Sequence, residues 1–348
     1  MNAQQYPPEP DYRAYAVAGV SALQRWYRPS RGLWQGAGWW QSANALTAVI
    51  RYAQATGDPA GPAVAQTTFR RAPRWRRGFC NKFFDDNAWW ALAWVAAHDL
   101  TGEDRYLRAA ERIFARNVAG WDGTCGGGMW WNTDRKYKNA ITNELFLTLA
   151  ARLSQRTPDP AGRYREWALR AWDWFRSAGL IGPGGLVNDG LTAGCHNNGR
   201  TTWTYNQGVI LGGLAALHQI TGDQGYLDTG RSLADAALAT LTTPAEASPG
   251  GILVEPSERP ADAGRRYGDD TQFKGIFVRY LHDFHAVRPH PAYREFFLRN
   301  ARSLWANARN EQNQFGMHWS GPFDRAGASV QSSALDALTA AALTAGDS

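Results

Sequence analysis

The sequence is sparing with cysteine: Cys80, Cys125 and Cys195 are the only three in 348 residues. The count is odd and none falls in a CxxC or Cys/His spacing, which argues against a structural zinc site. A disulfide framework is excluded as well, since at most one bridge can form. No apolar run approaches the roughly 20 residues of a membrane span. The stretch from Met1 to Pro10 is polar and Pro-rich, without the apolar core of an export signal. As the chain stands, the expected location is the cytoplasm, or outside the cell if a leader precedes it. Low-complexity tracts are missing, and a charged fraction of 20% beside 44% hydrophobic residues argues for a packed fold. No GxSxG, P-loop, HExxH or dinucleotide fingerprint occurs, so the chemistry attached to those motifs finds no footing.

Acidic residues are outnumbered, 31 against 37 basic, giving a formal charge of +6. The densest basic run is Arg70, Arg71, Arg74, Arg76 and Arg77 in a Pro-broken connection. It reads as a solvated loop rather than a phosphate-binding patch, and no nucleic-acid partner is expected. At most the charge suits acidic glycans or envelope surfaces. Aromatic rings are what the chain has in surplus: 17 Trp, 13 Tyr and 14 Phe. Some fill a core, but so many Trp also suit stacking on flat ligand faces such as those of sugars.

A degenerate repeat organises the chain. Helical apolar segments end in turns built around Thr-Gly-Asp: Thr56-Gly57-Asp58, Thr101-Gly102-Glu103, Thr157-Pro158-Asp159 and Thr221-Gly222-Asp223, with a weaker fifth near Val287-Arg288-Pro289 and a sixth at Thr344-Ala345-Gly346-Asp347. The spacing of roughly 45 to 65 residues marks stacked or closed supersecondary units. Gly after a helix, followed by an acidic residue opening the next, is C-cap and N-cap chemistry. The helices before the turns, near 40–55, 85–100, 139–155, 204–220, 270–285 and 329–344, are apolar nearly all round and should be buried on every side. Their partners, near 12–27, 61–70, 104–118, 161–178, 224–240 and 291–307, are amphipathic and should face solvent. Twelve alternating helices describe an all-α (α/α)6 toroid, taken as one domain over residues 1–348 and as a monomer. An open solenoid is the alternative, but fully buried helices favour closure. Short hairpins are expected near 183–189 and 250–255.

In such a toroid the inner helices start on one rim, and their starts concentrate the polarity of the chain. They carry Trp40 and Asn44; Asp85, Asp86 and Asn87; Asn139, Asn143 and Glu144; Tyr205, Asn206 and Gln207; Asp269, Asp270, Gln272, Phe273 and Lys274; and Gln331. Acids and amides bond hydroxyls and rings stack on C–H faces, so this rim suits a sugar. The plainer reading, that Asp and Asn only cap helices, explains one start better than several converging ones. Cleaving a glycosidic bond takes two carboxyls, and two Asp doublets compete. Asp85 and Asp86 sit between Phe83-Phe84 and Trp89-Trp90, an apolar setting that raises a carboxyl pKa. At a helix start their carboxyls can splay by roughly 5–6 Å, the range associated with retention. Asp269-Asp270 follows Gly264-Arg265-Arg266-Tyr267-Gly268, a basic setting that suits substrate binding or capping. Gly126-Gly127-Gly128 reads as a close-packed loop that lets Trp130 and Trp131 point into the cleft. His98, His218 and His282 fall at the far ends of inner helices and read as structural, whereas His196 precedes the rim and could touch substrate.

Four ordered motifs resemble glycoside hydrolase family 76, the endo-α-1,6-mannanases. They are Phe83-Phe84-Asp85-Asp86-Asn87-Ala88-Trp89-Trp90; Gly127-Gly128-Met129-Trp130-Trp131-Asn132 through Tyr137-Lys138-Asn139; Trp203-Thr204-Tyr205-Asn206-Gln207-Gly208; and Gln272-Phe273-Lys274-Gly275. The resemblance covers nearly the whole chain. It implies an (α/α)6 fold, no metal or organic cofactor, and retaining hydrolysis of α-1,6-linked mannan. It also implies that Asp85 is the nucleophile and Asp86 the acid/base. Cell-wall transglycosylation by the same site is the alternative activity it leaves open, and a silent mannan-binding module is the non-enzymatic one.

Overall fold

The computed structural model describes residues 10–159, 161–248, 250–258 and 268–346. Twelve helices follow one another: α1 (Tyr12–Gln24), α2 (Trp39–Thr56), α3 (Ala60–Arg71), α4 (Phe84–Thr101), α5 (Asp104–Asn117), α6 (Ala140–Arg156), α7 (Arg163–Ser177), α8 (Thr204–Thr221), α9 (Gly225–Thr240), α10 (Phe273–Val287), α11 (Pro291–Asn307) and α12 (Ala328–Gly346). The even-numbered helices form a closed ring. α2 packs on α4, α4 on α6, α6 on α8, α8 on α10, α10 on α12, and α12 back on α2. Each odd-numbered helix leans outside the ring. The fold is the (α/α)6 toroid, not the open solenoid.

The turns work as their composition dictates. Gly57, Gly102 and Gly222 sit in the left-handed region at the C-caps of α2, α4 and α8, where a side chain is strained. Inner helices are wrapped on all sides: α4 buries every residue from Asn87 to Ala97. Outer helices bury one stripe, in α5 Tyr106, Leu107, Ala109, Ala110, Ile113 and Phe114. Two boundaries move from their expected places. α1 stops at Gln24 because Tyr27–Arg28 pairs with Leu33–Trp34 in a two-stranded ribbon, β1–β2. The fifth inner helix begins with a 3₁₀ turn, Asp269–Gln272, before α10 proper. The two hairpins reduce to single bridges, Ile181 with Val187 and Thr242 with Leu253. The expected basic setting at 264–267 and the last turn residue, Asp347, lie outside the described residues.

Polar side chains clamp inner helices to one another, across the ring as well as between neighbours. Arg279 of α10 bonds both Asp336 oxygens of α12 at 3.0 and 2.6 Å and the Asn44 Oδ1 of α2 at 2.8 Å. At the opposite rim Asp283 takes Arg51 and Arg152, each at 2.6 Å. Among the described residues no helix is long and apolar enough to cross a membrane.

Candidate active site

The inner-helix starts open on a cavity of about 640 Å³. Asp85 and Asp86 lie in the first turn of α4, and neither is its cap: the N-cap is Phe83, which offers no side-chain bond. Asp85 is held by two N–H donors, Trp131 Nε1 to Oδ2 at 2.9 Å and the Asp86 amide to Oδ1 at 3.0 Å. Asp86 accepts from Asn81 Nδ2 at 2.6 Å. Asn81 is itself fixed, because its amide donates to Asn87 Oδ1 at 2.8 Å, and Asn87 Nδ2 donates to Asn117 at 3.2 Å.

Both aspartates hold protons more tightly than exposed carboxyls do. Burial lifts Asp85 well above the usual range, and the Asp86 charge adds to it. Burial raises Asp86 to about 6 against the Asn81 hydrogen bond, with the Asp269 charge adding to the rise. Two adjacent carboxyls of raised pKa titrate as a pair, the charge on one disfavouring ionisation of the other. The two N–H donors on Asp85, against one on Asp86, stabilise its charged form and work against the rise in its pKa.

Aromatic rings form the walls. Tyr205 stacks on Phe273 with centroids 3.7 Å apart, Trp40 lies 6.2 Å from Phe273, and Trp89, also on the lining, is 6.1 Å from Trp40. Trp131 is 36% exposed and offers its ring at the entrance. The Tyr205 hydroxyl is pushed well above its usual pKa, first by burial and then by Asp189, Asp85, Glu144 and Asp269, so it stays a neutral donor among acids. Asp269 Oδ1 accepts from Trp40 Nε1 at 3.1 Å and Gln41 Nε2 at 2.8 Å. Asn139 caps α6 and also lines the cavity.

Loops supply residues that sequence reasoning did not single out. Tyr137, Asp189 and Arg200 line the cavity. The Tyr137 hydroxyl donates to Asp189 and accepts from Asn198 Nδ2 at 2.9 Å. These loops are tied together by a Cys125–Cys195 disulfide, while Cys80 is free. The glycine run is close-packed rather than a phosphate cradle: a Cβ on Gly128 would stand 2.4 Å from the Trp174 ring, and its φ is +86°. Lys138 Nζ gathers the loop, bonding Asp122, Thr124 O, Gly127 O and Gly128 O at 2.6–3.0 Å.

Of the expected contact residues, Trp40, Trp131, Asn139, Tyr205, Asp269 and Phe273 join the aspartates around the cavity. The others do not. Trp130 turns away, its Nε1 on Asp122 at 2.7 Å and Lys138 Nζ over its ring. Asn44 belongs to the Arg279 cluster, and Asn87 braces Asn81 from behind. Asn143 brackets Met129 and Gln207 brackets Val187, each through both backbone groups at 2.6–3.1 Å. Asn206 is fully buried behind the wall. Lys274 pairs with Glu258 at 2.5 Å and donates to Met317 O. Asp270 accepts the Gly268 amide at 2.8 Å and stays off the cavity lining. His196 is exposed and lies outside the cavity lining.

An acid pair on an aromatic-walled rim of an (α/α)6 toroid is the kind of site found in a glycoside hydrolase family. The comparison with known sequences then fixes which one: residues 22–348 match the model of glycosyl hydrolase family 76, and the chain belongs to that family. The mannan endo-1,6-alpha-mannosidase DCW1 of Candida albicans is 30% identical over 213 residues, 57% of this chain and 46% of that protein. The matched chain thus spans about half the length of such curated relatives. Among solved structures, an inactive variant of the alpha-1,6-mannanase of Salegentibacter sp. HEL1_6, with two consecutive aspartates replaced by alanine and alpha-1,6-mannotetrose bound, is 26% identical with a TM-score of 0.83, covering 96% of this chain and all of that one. Dfg5 from Chaetomium thermophilum in complex with glucosamine shares the fold at 22% identity and a TM-score of 0.84, over 98% of this chain and 92% of that one.

Proposed function

We propose that the protein is a retaining endo-α-1,6-mannanase acting through Asp85 and Asp86. The observation that carries the reading is the pair itself: two carboxyls in one cavity, one bearing two N–H donors and the other with its pKa raised to about 6. Asp85 attacks the anomeric carbon as the glycosidic C–O bond breaks, and Asp86 gives its proton to the leaving oxygen. Water, deprotonated by Asp86, then displaces the mannosyl group from Asp85. The rings of Trp40, Trp131, Tyr205 and Phe273 offer stacking faces for successive sugars, as an endo enzyme requires. Inactivation of the Salegentibacter mannanase by loss of two consecutive aspartates supports placing the chemistry on a doublet. Of the two doublets here, only Asp85–Asp86 turns both members into the cavity lining.

The Cys125–Cys195 bridge supports a working place in an oxidising compartment over the cytoplasm. The test of function is product sizing on unbranched α-1,6-mannan. We expect a ladder of short oligomers, and a fall of about 10³-fold or more in kcat for Asp85→Asn and for Asp86→Asn. Near-normal cleavage by either variant would remove the assignment. Products longer than the substrate would replace hydrolysis by transfer.

A further inference from the structure

One buried carboxyl takes no part in the displacement at Asp85. Glu144, in the second turn of α6, is fully buried and stays off the cavity lining. Neither of its carboxyl oxygens has a hydrogen-bond partner. Asn206, in the first turn of α8, is equally buried, and neither end of its amide is bonded. Among the described residues no other buried carboxyl or side-chain amide lacks a partner at both ends.

The helix register brings the two together. α6 and α8 pack side by side from the same rim. Thr148 Oγ1 of α6 donates to Val209 O of α8 at 3.5 Å, and a Cβ on Gly213 would stand 3.0 Å from that same hydroxyl. One turn nearer the rim, this register sets Glu144 against Tyr205 and Asn206. Gly208 meets the α10 backbone at Phe277, and Asn206 points about 200° away from it, toward α6. The charges agree: Glu144 is among the acids that raise the Tyr205 hydroxyl. Burial and the Asp189 charge both favour the protonated form of Glu144, which donates as well as accepts. An acid facing an amide, with no bond between them, matches enclosed water, which meets roughly three polar groups at a time.

We propose that Glu144 is a positioning residue: with Asn206 it holds ordered water behind the start of α8, and so sets the Tyr205 ring against the sugar. It rests on the mannan reading of the cavity. Tyr205 is stacked on Phe273, so a shift behind it carries two rings of the wall together. The ring contacts are made before and during bond cleavage alike, and their loss weakens sugar binding more than it slows chemistry.

The kinetic test is Glu144→Leu on α-1,6-mannotetraose. Displacing the water should raise KM about tenfold and leave kcat within about twofold. Glu144→Gln keeps a donor and an acceptor, and should bring KM back to within about threefold of the wild type. A role limited to filling space predicts the reverse order, because Leu packs and Gln does not, and that order overturns the proposal. So does an unchanged KM in Glu144→Leu. In a Tyr205→Leu background, adding Glu144→Leu should change KM by less than about twofold, whereas effects that multiply refute the route through Tyr205. If Glu144→Leu does not fold, Asn206→Leu carries the same expectation: a rise in KM supports the proposal and no change refutes it. A high-resolution crystal structure of the wild type should show water bonded to both Glu144 and Asn206. A dry gap, or the two side chains bonded to each other, overturns the proposal. If mannotetraose is neither bound nor cleaved, the mannan reading falls separately. Crystal structures then decide: bridging water with Tyr205 displaced in Glu144→Leu supports the proposal, and an unmoved Tyr205 refutes it.

Discussion

Asp85 and Asp86 are adjacent in sequence yet differently served: Trp131 and a backbone amide on one, Asn81 on the other. Folding raises the proton affinity of both, and the sign of the effect on stability follows. A carboxyl whose folded pKa lies above its unfolded value of about 3.9 leaves the fold unpenalised below that pH and weakens it as pH rises through the folded pKa. For Asp86 that window ends at about 6. Asp86→Asn should therefore raise Tm at pH 7 by about 3 °C and leave it unchanged near pH 3.5, read by calorimetry at both values. The same proton sets activity, so kcat/KM should fall as pH climbs above about 6. At this scale the sequence was half legible. Apolar neighbours marked the doublet and its raised pKa. Which of several consecutive polar residues faces the cavity was not marked. Residues on a helix point about 100° apart, so Tyr205 reaches the cavity while Asn206 and Gln207 turn into the packing. Tyr137, Asp189 and Arg200 sit on loops, where no period announces a direction.

Helices were the legible elements, because caps and apolar faces are local chemistry. All twelve lie where the turn residues and periodicity put them, apart from the ribbon that shortens α1 and the 3₁₀ turn that opens α10. Loops were harder, since a distant residue organises them. The 121–131 segment depends on Lys138, whose side chain is 1% exposed and meets three carbonyls and Asp122. Lys138→Met keeps the bulk and removes the charge, leaving those oxygens unpaired. The expected cost is about 3 kcal/mol in denaturant unfolding, with KM rising more than kcat falls as Trp131 loses its seat. Unchanged stability would mean that the disulfide alone holds the loop.

At the scale of the whole molecule, buried inner helices pointed to closure, and α12 packed on α2 is the contact that completes it. Closure from first to last helix had no local signature. The Arg279–Asp336–Asn44 cluster that joins α2, α10 and α12 draws on residues 44 to 336, a span no repeat spacing encodes. The ring has a consequence for how the protein opens. An open stack of helix pairs frays from its two ends, because each end unit has one neighbour. Here α2 and α12 each have two inner neighbours, as α6 does. Hydrogen exchange measured helix by helix should then show the six inner helices protected to a common ceiling, with α2 and α12 no faster than α6. A gradient from the middle of the chain outward would instead reveal a seam that breathes between α12 and α2.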